Sequence, residues 1–152
     1  IQYVVLGSGE WQYESYFREL HDKYPDKVGL RLGFVPDLAR KIYAGADLFL
    51  MPSKSEPCGL SQMVALRYGT LPIVRETGGL KDSVTDSGDG EGNGFTFKTY
   101  DAYDMLGAIY RAVDAYNNKE YWPTLVERAL RCDMSWGKSA NEYIKMYKSL
   151  LK

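Results

Sequence analysis

The sequence has only two cysteines among its 152 residues, Cys58 and Cys132, and one histidine, His21. Two thiols so far apart set up no disulfide framework, so a reducing compartment is the expected setting. His21 sits off any apolar stripe, among Glu19, Asp22 and Lys23. It reads as a solvated surface residue, because a general base needs a cleft and an orienting partner. No His/Cys/Asp cluster stands at metal-ligand spacing. Charge of neither sign dominates: the net charge is -1, which argues against a nucleic-acid surface. No apolar run approaches the ~20 residues of a membrane span, and the chain does not open on a basic, then apolar, signal pattern. A soluble protein with no membrane partner is expected.

What is present is one domain's worth of sequence, residues 1–152, with 14% aromatics and a core large enough to need no staples. Ile1 to Leu6 is an apolar, β-branched run starting at the first residue, which suggests a fragment. A helical stripe of Tyr13, Tyr16, Phe17, Leu20 and Tyr24 follows and stops before Pro25, and a strand over Val28 to Leu32 ends at Gly33-Phe34. Pro36 to Ala44 reads as a short helix. Leu48 to Met51 and Leu71 to Val74 are apolar runs, each flowing into a glycine-bearing turn and a helical pattern. Strand, turn, helix repeated in this way implies parallel strands, α/β class, with ligands at the strands' carboxyl ends. The segment from Asp86 to Gly94 has four glycines and three acids and reads as a flexible surface loop; its spacing lacks the closing glutamate of a calcium loop. Phe95 to Phe97 is the last strand. Three helices end the chain, with Tyr103, Leu106, Tyr110 and Val113, then Trp122, Leu125, Val126 and Ala129, then Ala140, Tyr143, Ile144, Tyr147 and Leu151 as packing faces.

The turn after Met51-Pro52 carries the chemistry. Pro57 presets a first helical turn and Gly59 opens the backbone to close approach, with the helix expected from Gly59 to Tyr68 and Met63, Val64 and Leu66 against the sheet. The amides of Cys58, Gly59, Leu60 and Ser61 would then be unpaired donors at the positive end of a helix, an anion site. Glu56 stands just ahead of them. A carboxylate beside a bare phosphate cradle would repel the ligand; beside the neutral, hydroxyl-rich half of a sugar diphosphate it fits. The second turn, Thr77-Gly78-Gly79, adds amides and a hydroxyl. For each residue a plainer role stands alongside: Cys58 as a small filler, Glu56 paired with Lys54, Thr77 as a helix cap, Arg75 paired with Glu76 or Asp82. Gly7-Ser8-Gly9-Glu10 invites comparison with a dinucleotide fingerprint, but Gln12 stands where the third glycine belongs, which speaks against a nicotinamide enzyme.

Glu56-Pro57-Cys58-Gly59-Leu60 with Gln62, Arg67-Tyr68-Gly69-Thr70-Leu71-Pro72-Ile73-Val74, and Thr77-Gly78-Gly79-Leu80-Lys81-Asp82 resemble the carboxyl-terminal half of starch and bacterial glycogen synthases. The likeness extends to Val4-Val5-Leu6-Gly7-Ser8-Gly9-Glu10, Gly33-Phe34, Ile42 to Asp47, Ser135-Trp136 and Ser139-Ala140. It implies a three-layer Rossmann-like domain with a parallel sheet and C-terminal helices, one half of a GT-B glycosyltransferase. The implied reaction moves glucose from ADP-glucose to the non-reducing end of an α-1,4-glucan with retention, the departing diphosphate helping to deprotonate the acceptor. By the same resemblance, Glu56 serves the sugar, Cys58, Gly59, Leu60, Ser61, Thr77, Gly78 and Gly79 the diphosphate, and Gly7 and Gly9 lie near the nucleotide. Gly33 precedes Phe34, which stands where the family stacks a tyrosine on adenine. Related transferases carry a second glutamate eight residues after the first; here Val64 is there. No cofactor or metal is implied, and the compartment is the cytoplasm of a bacterium, with a plastid as the alternative.

The resemblance further implies that the acceptor-binding N-terminal domain, with its own glycine-rich loop and histidine, and an arginine and lysine that clamp the diphosphate lie upstream of this sequence. The chain alone would then bind ADP or ADP-glucose weakly without elongating glucan, and the last helix would cross back to the missing domain. The competing reading is a non-catalytic nucleotide-binding or assembly module, which needs the amides but not Glu56.

Overall fold

The computed structural model describes residues 1–151, and of Asp89 the backbone only. The chain divides into two compact units, Ile1–Gly45 and Ala46–Lys152, each taken here by itself.

In the first unit, β1 (Tyr3–Gly7), α1 (Trp11–Lys23), β2 (Val28–Leu32) and α2 (Pro36–Gly45) follow in order. The strands pair in parallel from Tyr3↔Val28 to Gly7↔Leu32. Pro25 lies just beyond α1, where a helix cannot continue. His21 departs from the expectation of a solvated residue. It is half-buried, with Nδ1 2.6 Å from the Val28 carbonyl. A carbonyl only accepts, so Nδ1 carries the proton and the ring ties the end of α1 to the start of β2.

The second unit holds a three-stranded parallel sheet in the order β3 (Leu48–Met51), β4 (Leu71–Arg75), β5 (Phe95–Phe97). Side chains alternate across β4 and serve two cores. Leu71 and Ile73 join Phe95, Phe97, Leu66 of α3 (Ser61–Tyr68), Ala108 and Ala112 of α5 (Ala102–Asn117) and Leu125 and Ala129 of α6 (Trp122–Arg131). Val74, on the opposite face, packs with Leu80 of α4 (Gly78–Ser83), Val84 and Met51. Helices cover both faces, which gives this unit its three layers.

Three expected helix faces turn out differently. In α5 the covered residues are Ala108 and Ala112, flanked by Met105 and Ile109, while Tyr103 is 83% and Tyr110 61% exposed. The inner surface is built of alanines because α5 lies close over the sheet, leaving the tyrosines outward. In α3, Gln62, Ala65 and Leu66 are buried and Val64 is exposed. The packing face that the sequence pattern gives α7 (Trp136–Leu150) is exposed at Tyr143, Ile144 and Tyr147, as is Leu151 just past its end.

Candidate functional site

α3 begins at Ser61, two residues later than its sequence pattern suggests. Gly59 sits at φ +74, in the left-handed region that no right-handed helix admits. The polypeptide therefore runs from β3 through Ser53–Leu60 as a loop and enters α3 with no side chain capping its N-terminus. Among the described residues no protein acceptor takes the amides of Cys58, Gly59, Leu60 or Ser61. They are the free donors a helix start leaves over.

The second turn is packed into the first. Gly79 N–H donates to the carbonyls of Glu56 and Pro57 at 3.2 and 3.3 Å. A Cβ on Gly78 would strike the Glu56 carbonyl, and one on Gly79 the backbone of Cys58. The pair of glycines is thus needed for close approach of two backbones. The Gly79 amide, counted as a possible phosphate donor, is spent inside the protein; that of Gly78 has no partner among the described residues. Thr77 occupies the N-cap of α4, yet its side chain makes no capping bond.

Glu56 is half-buried, and among the described residues its carboxylate makes no hydrogen bond or ion pair, with Lys54 or any other group. Arg75 pairs with neither Glu76 nor Asp82; it donates Nε to the Ser53 carbonyl at 2.9 Å and Nη2 to the Lys54 carbonyl. Its guanidinium lies 5.8 Å from the Tyr100 ring centroid. It braces the segment leading to Glu56 without touching the carboxylate. Cys58 is exposed, so it fills no core.

Sequence reasoning passed over Gln62 as a site residue. It is fully buried, and its Nε2 donates to the carbonyls of Gly59 (2.9 Å) and Cys58 (3.2 Å) and to Ser83 Oγ (3.0 Å). Its Oε1 is buried without a partner. The available signal was the helical spacing of Gln62 with Ala65 and Leu66, which places a carboxamide on the inward face.

The other expected ligand residues lie in the first unit. Gly33, at φ +109, donates its amide to the Gly7 carbonyl at 2.8 Å, tying the carboxyl ends of β1 and β2. The Gly9 amide donates to Glu14 Oε1 at 3.1 Å. Phe34 is 89% exposed and therefore plugs no core; its ring is open for stacking. Among the described residues no group of three or more His, Cys, Asp or Glu side chains gathers to hold a metal ion. No helix among them is long and apolar enough to cross a membrane.

The loop over residues 86–94 is less free than its composition suggests. Asp86 accepts from the amides of Gly88 (2.9 Å) and Thr96 (2.7 Å) and from Arg111 Nη2 (3.0 Å). Asn93 accepts from the Thr85 amide and donates to the Ser83 carbonyl. Burial pushes the Asp86 carboxyl up, but the two amides and the guanidinium outweigh it and hold the group below its ordinary value.

The model of the glycosyl transferases group 1 family matches residues 1–123. The chain belongs to this family. Among glycosyl transferases of group 1, the glycogen synthase of Geobacillus thermodenitrificans is 55% identical over 154 aligned residues, covering 100% of this chain and 32% of its own length. That of Geobacillus stearothermophilus is 54% identical with the same coverage. The catalytic domain of starch synthase IV from Arabidopsis thaliana, solved bound to ADP and acarbose, superposes with a TM-score of 0.87 at 41% identity, over 97% of this chain and 32% of that one. The chain spans about a third of the length of the relatives it matches. The α/β architecture of parallel strands anticipated from the sequence is the GT-B glycosyltransferase fold of these neighbours.

Proposed function

We propose that this chain supplies the nucleotide-sugar site of a glucan synthase that transfers glucose from ADP-glucose to the non-reducing end of an α-1,4-glucan with retention of configuration. One observation carries the reading. A half-buried carboxylate without a partner, Glu56, immediately precedes unpaired amides at the uncapped start of α3. Fixed amides aimed at a departing diphosphate stabilise charge that grows in the transition state, and they need no reorganisation to do so. Glu56 answers the opposite demand, facing the hexose as positive character develops at the anomeric carbon. A sugar diphosphate has this order of neutral and anionic parts. Names of relatives support the choice of donor: the 55% identical protein is a glycogen synthase, and the starch synthase neighbour holds ADP.

The reading extends to an α-glucan acceptor, to an N-terminal domain that would bind it, to a requirement for no cofactor or metal besides the donor, and to the cytoplasm of a bacterium as compartment. Phe34, Gly33, Gly7 and Gly9 are proposed for the nucleoside end of the donor. Calorimetric titration with ADP, UDP and their glucose conjugates tests it. ADP-glucose should bind more tightly than UDP-glucose, and Glu56→Ala should remove the extra affinity of ADP-glucose over ADP while leaving ADP itself unchanged. Equal losses for both ligands would show that Glu56 does not face the sugar, and would favour a nucleotide-binding module without transferase chemistry.

A further inference from the structure

The structure assigns Gln62 as the residue that aims the phosphate-binding amides, an inference that rests on the reading of the site above and deepens it. A peptide unit is planar and trans, so its C=O and N–H point in opposite directions. Gln62 Nε2 holds the Cys58 and Gly59 carbonyls at 3.2 and 2.9 Å. The amides on the far side of those two units belong to Gly59 and Leu60, and both lack an acceptor among the described residues. Drawing the carbonyls inward turns these N–H groups outward. Donation to a carbonyl also polarises its peptide and makes the N–H opposite a stronger donor.

The side chain itself is held from beneath. Ser83 Oγ accepts from Nε2 at 3.0 Å and donates to the Gly79 carbonyl at 2.6 Å, so one carboxamide links the loop before α3 to α4. A purely structural filler would not need a carboxamide here. Gln62 is 0% exposed, its Oε1 has no partner, and Oε1 lies 2.5 Å from where a Cβ on Gly59 would stand. An unpaired buried acceptor is costly. Its presence is explained if the bonds from Nε2 to the Cys58 and Gly59 carbonyls keep the loop in one conformation, a left-handed Gly59 included.

Nitrogen–proton NMR during ADP titration tests the assignment. In the unaltered chain the backbone amides of Gly59 and Leu60 should move downfield as ADP binds. The side-chain Nε2 protons of Gln62 should move with them, because the signal passes through the shared peptide units. Gln62→Leu should weaken ADP at least tenfold and abolish the Gly59 and Leu60 shifts. Thr70→Val serves as a matched loss of a buried hydroxyl bond, from Thr70 Oγ1 to the Ala46 carbonyl, and should leave ADP affinity within about twofold. If Gln62→Leu does not fold, the Nε2 response of the unaltered chain decides alone. Amides that shift while Nε2 stays still, or a Thr70→Val variant that loses ADP as Gln62→Leu does, would overturn the role of Gln62 and leave the site standing. Amides of Cys58 to Ser61 that ignore millimolar ADP would overturn the site reading, and this inference with it.

Discussion

Two loops of the second unit, Ser53–Leu60 after β3 and residues 86–94 before β5, each carry an acid beside a strand of the same sheet, yet they treat a carboxylate in opposite ways. Asp86 is saturated by the Gly88 and Thr96 amides and the Arg111 guanidinium. Glu56 has no partner among the described residues, and the amides that follow it lack acceptors too. Buried polar groups are normally satisfied, so the saturated loop is explained as architecture. The unsatisfied one fits the proposed sugar-diphosphate ligand, which brings both donors and acceptors. Each loop is involved in a glycine backbone contact: Gly79 of α4 packs against Cys58 of the first, and Gly92 of the second against the carbonyls of Thr85 and Asp86.

The sharpest test of this contrast exchanges those glycines. Gly79→Ala drives a methyl into the Cys58 backbone and should cost about 3 kcal/mol or more in thermal unfolding, with ADP binding lost as well. Gly92→Ala should cost a comparable amount while ADP binding survives in the folded fraction. If Gly92→Ala also removes binding at temperatures where the chain is folded, the two loops are not separate in role.

Next in size is Asp86→Ala, which strands two amides and a guanidinium and should destabilise by ~1–2 kcal/mol without changing ADP affinity. Titration of stability against pH follows from the same group. The folded Asp86 carboxyl titrates below its unfolded value, so its contribution is present above the unfolded value and is lost as pH falls through the folded one. Denaturant midpoints should therefore decline more steeply below about pH 4 in the unaltered chain than in Asp86→Asn. Parallel curves would refute the pairing.

The smallest stability effect should come from Glu56→Gln. With no internal bond to break, unfolding should shift by less than about 0.5 kcal/mol, or even favour the variant, since an unpaired charge is removed from a half-buried position. A loss above 1 kcal/mol would mean that Glu56 holds the fold together and that the contrast with Asp86 is false.

Much of this was legible in the sequence because strands leave local marks. β2, β3 and β5 fall on their apolar runs, and α2 starts at Pro36. Other features were hidden because they depend on what an element meets. The tyrosine stripe of α5 resembles a buried face, yet alanines at Ala108 and Ala112 lie against the sheet. His21 looked solvated because its partner, the Val28 carbonyl, comes from the next strand. The glycine-rich stretch 86–94 looked flexible because its tethers at Thr96 and Arg111 come from β5 and α5.

The amino-acid order alone determined the alternation of strand and helix, the sheet's parallel sense and the placing of Glu56 before a run of backbone donors, since each follows from periodicity and from the conformational limits of proline and glycine. Only tertiary packing decided which donors stay free. The Gly79 amide turns into the first loop, Gln62 turns inward to hold the carbonyls of Cys58 and Gly59, and Arg75 is drawn to Ser53 and Lys54. The physical reason is that a hydrogen bond needs two groups brought within about 3 Å, and those distances are set by how segments far apart in the chain come to lie side by side.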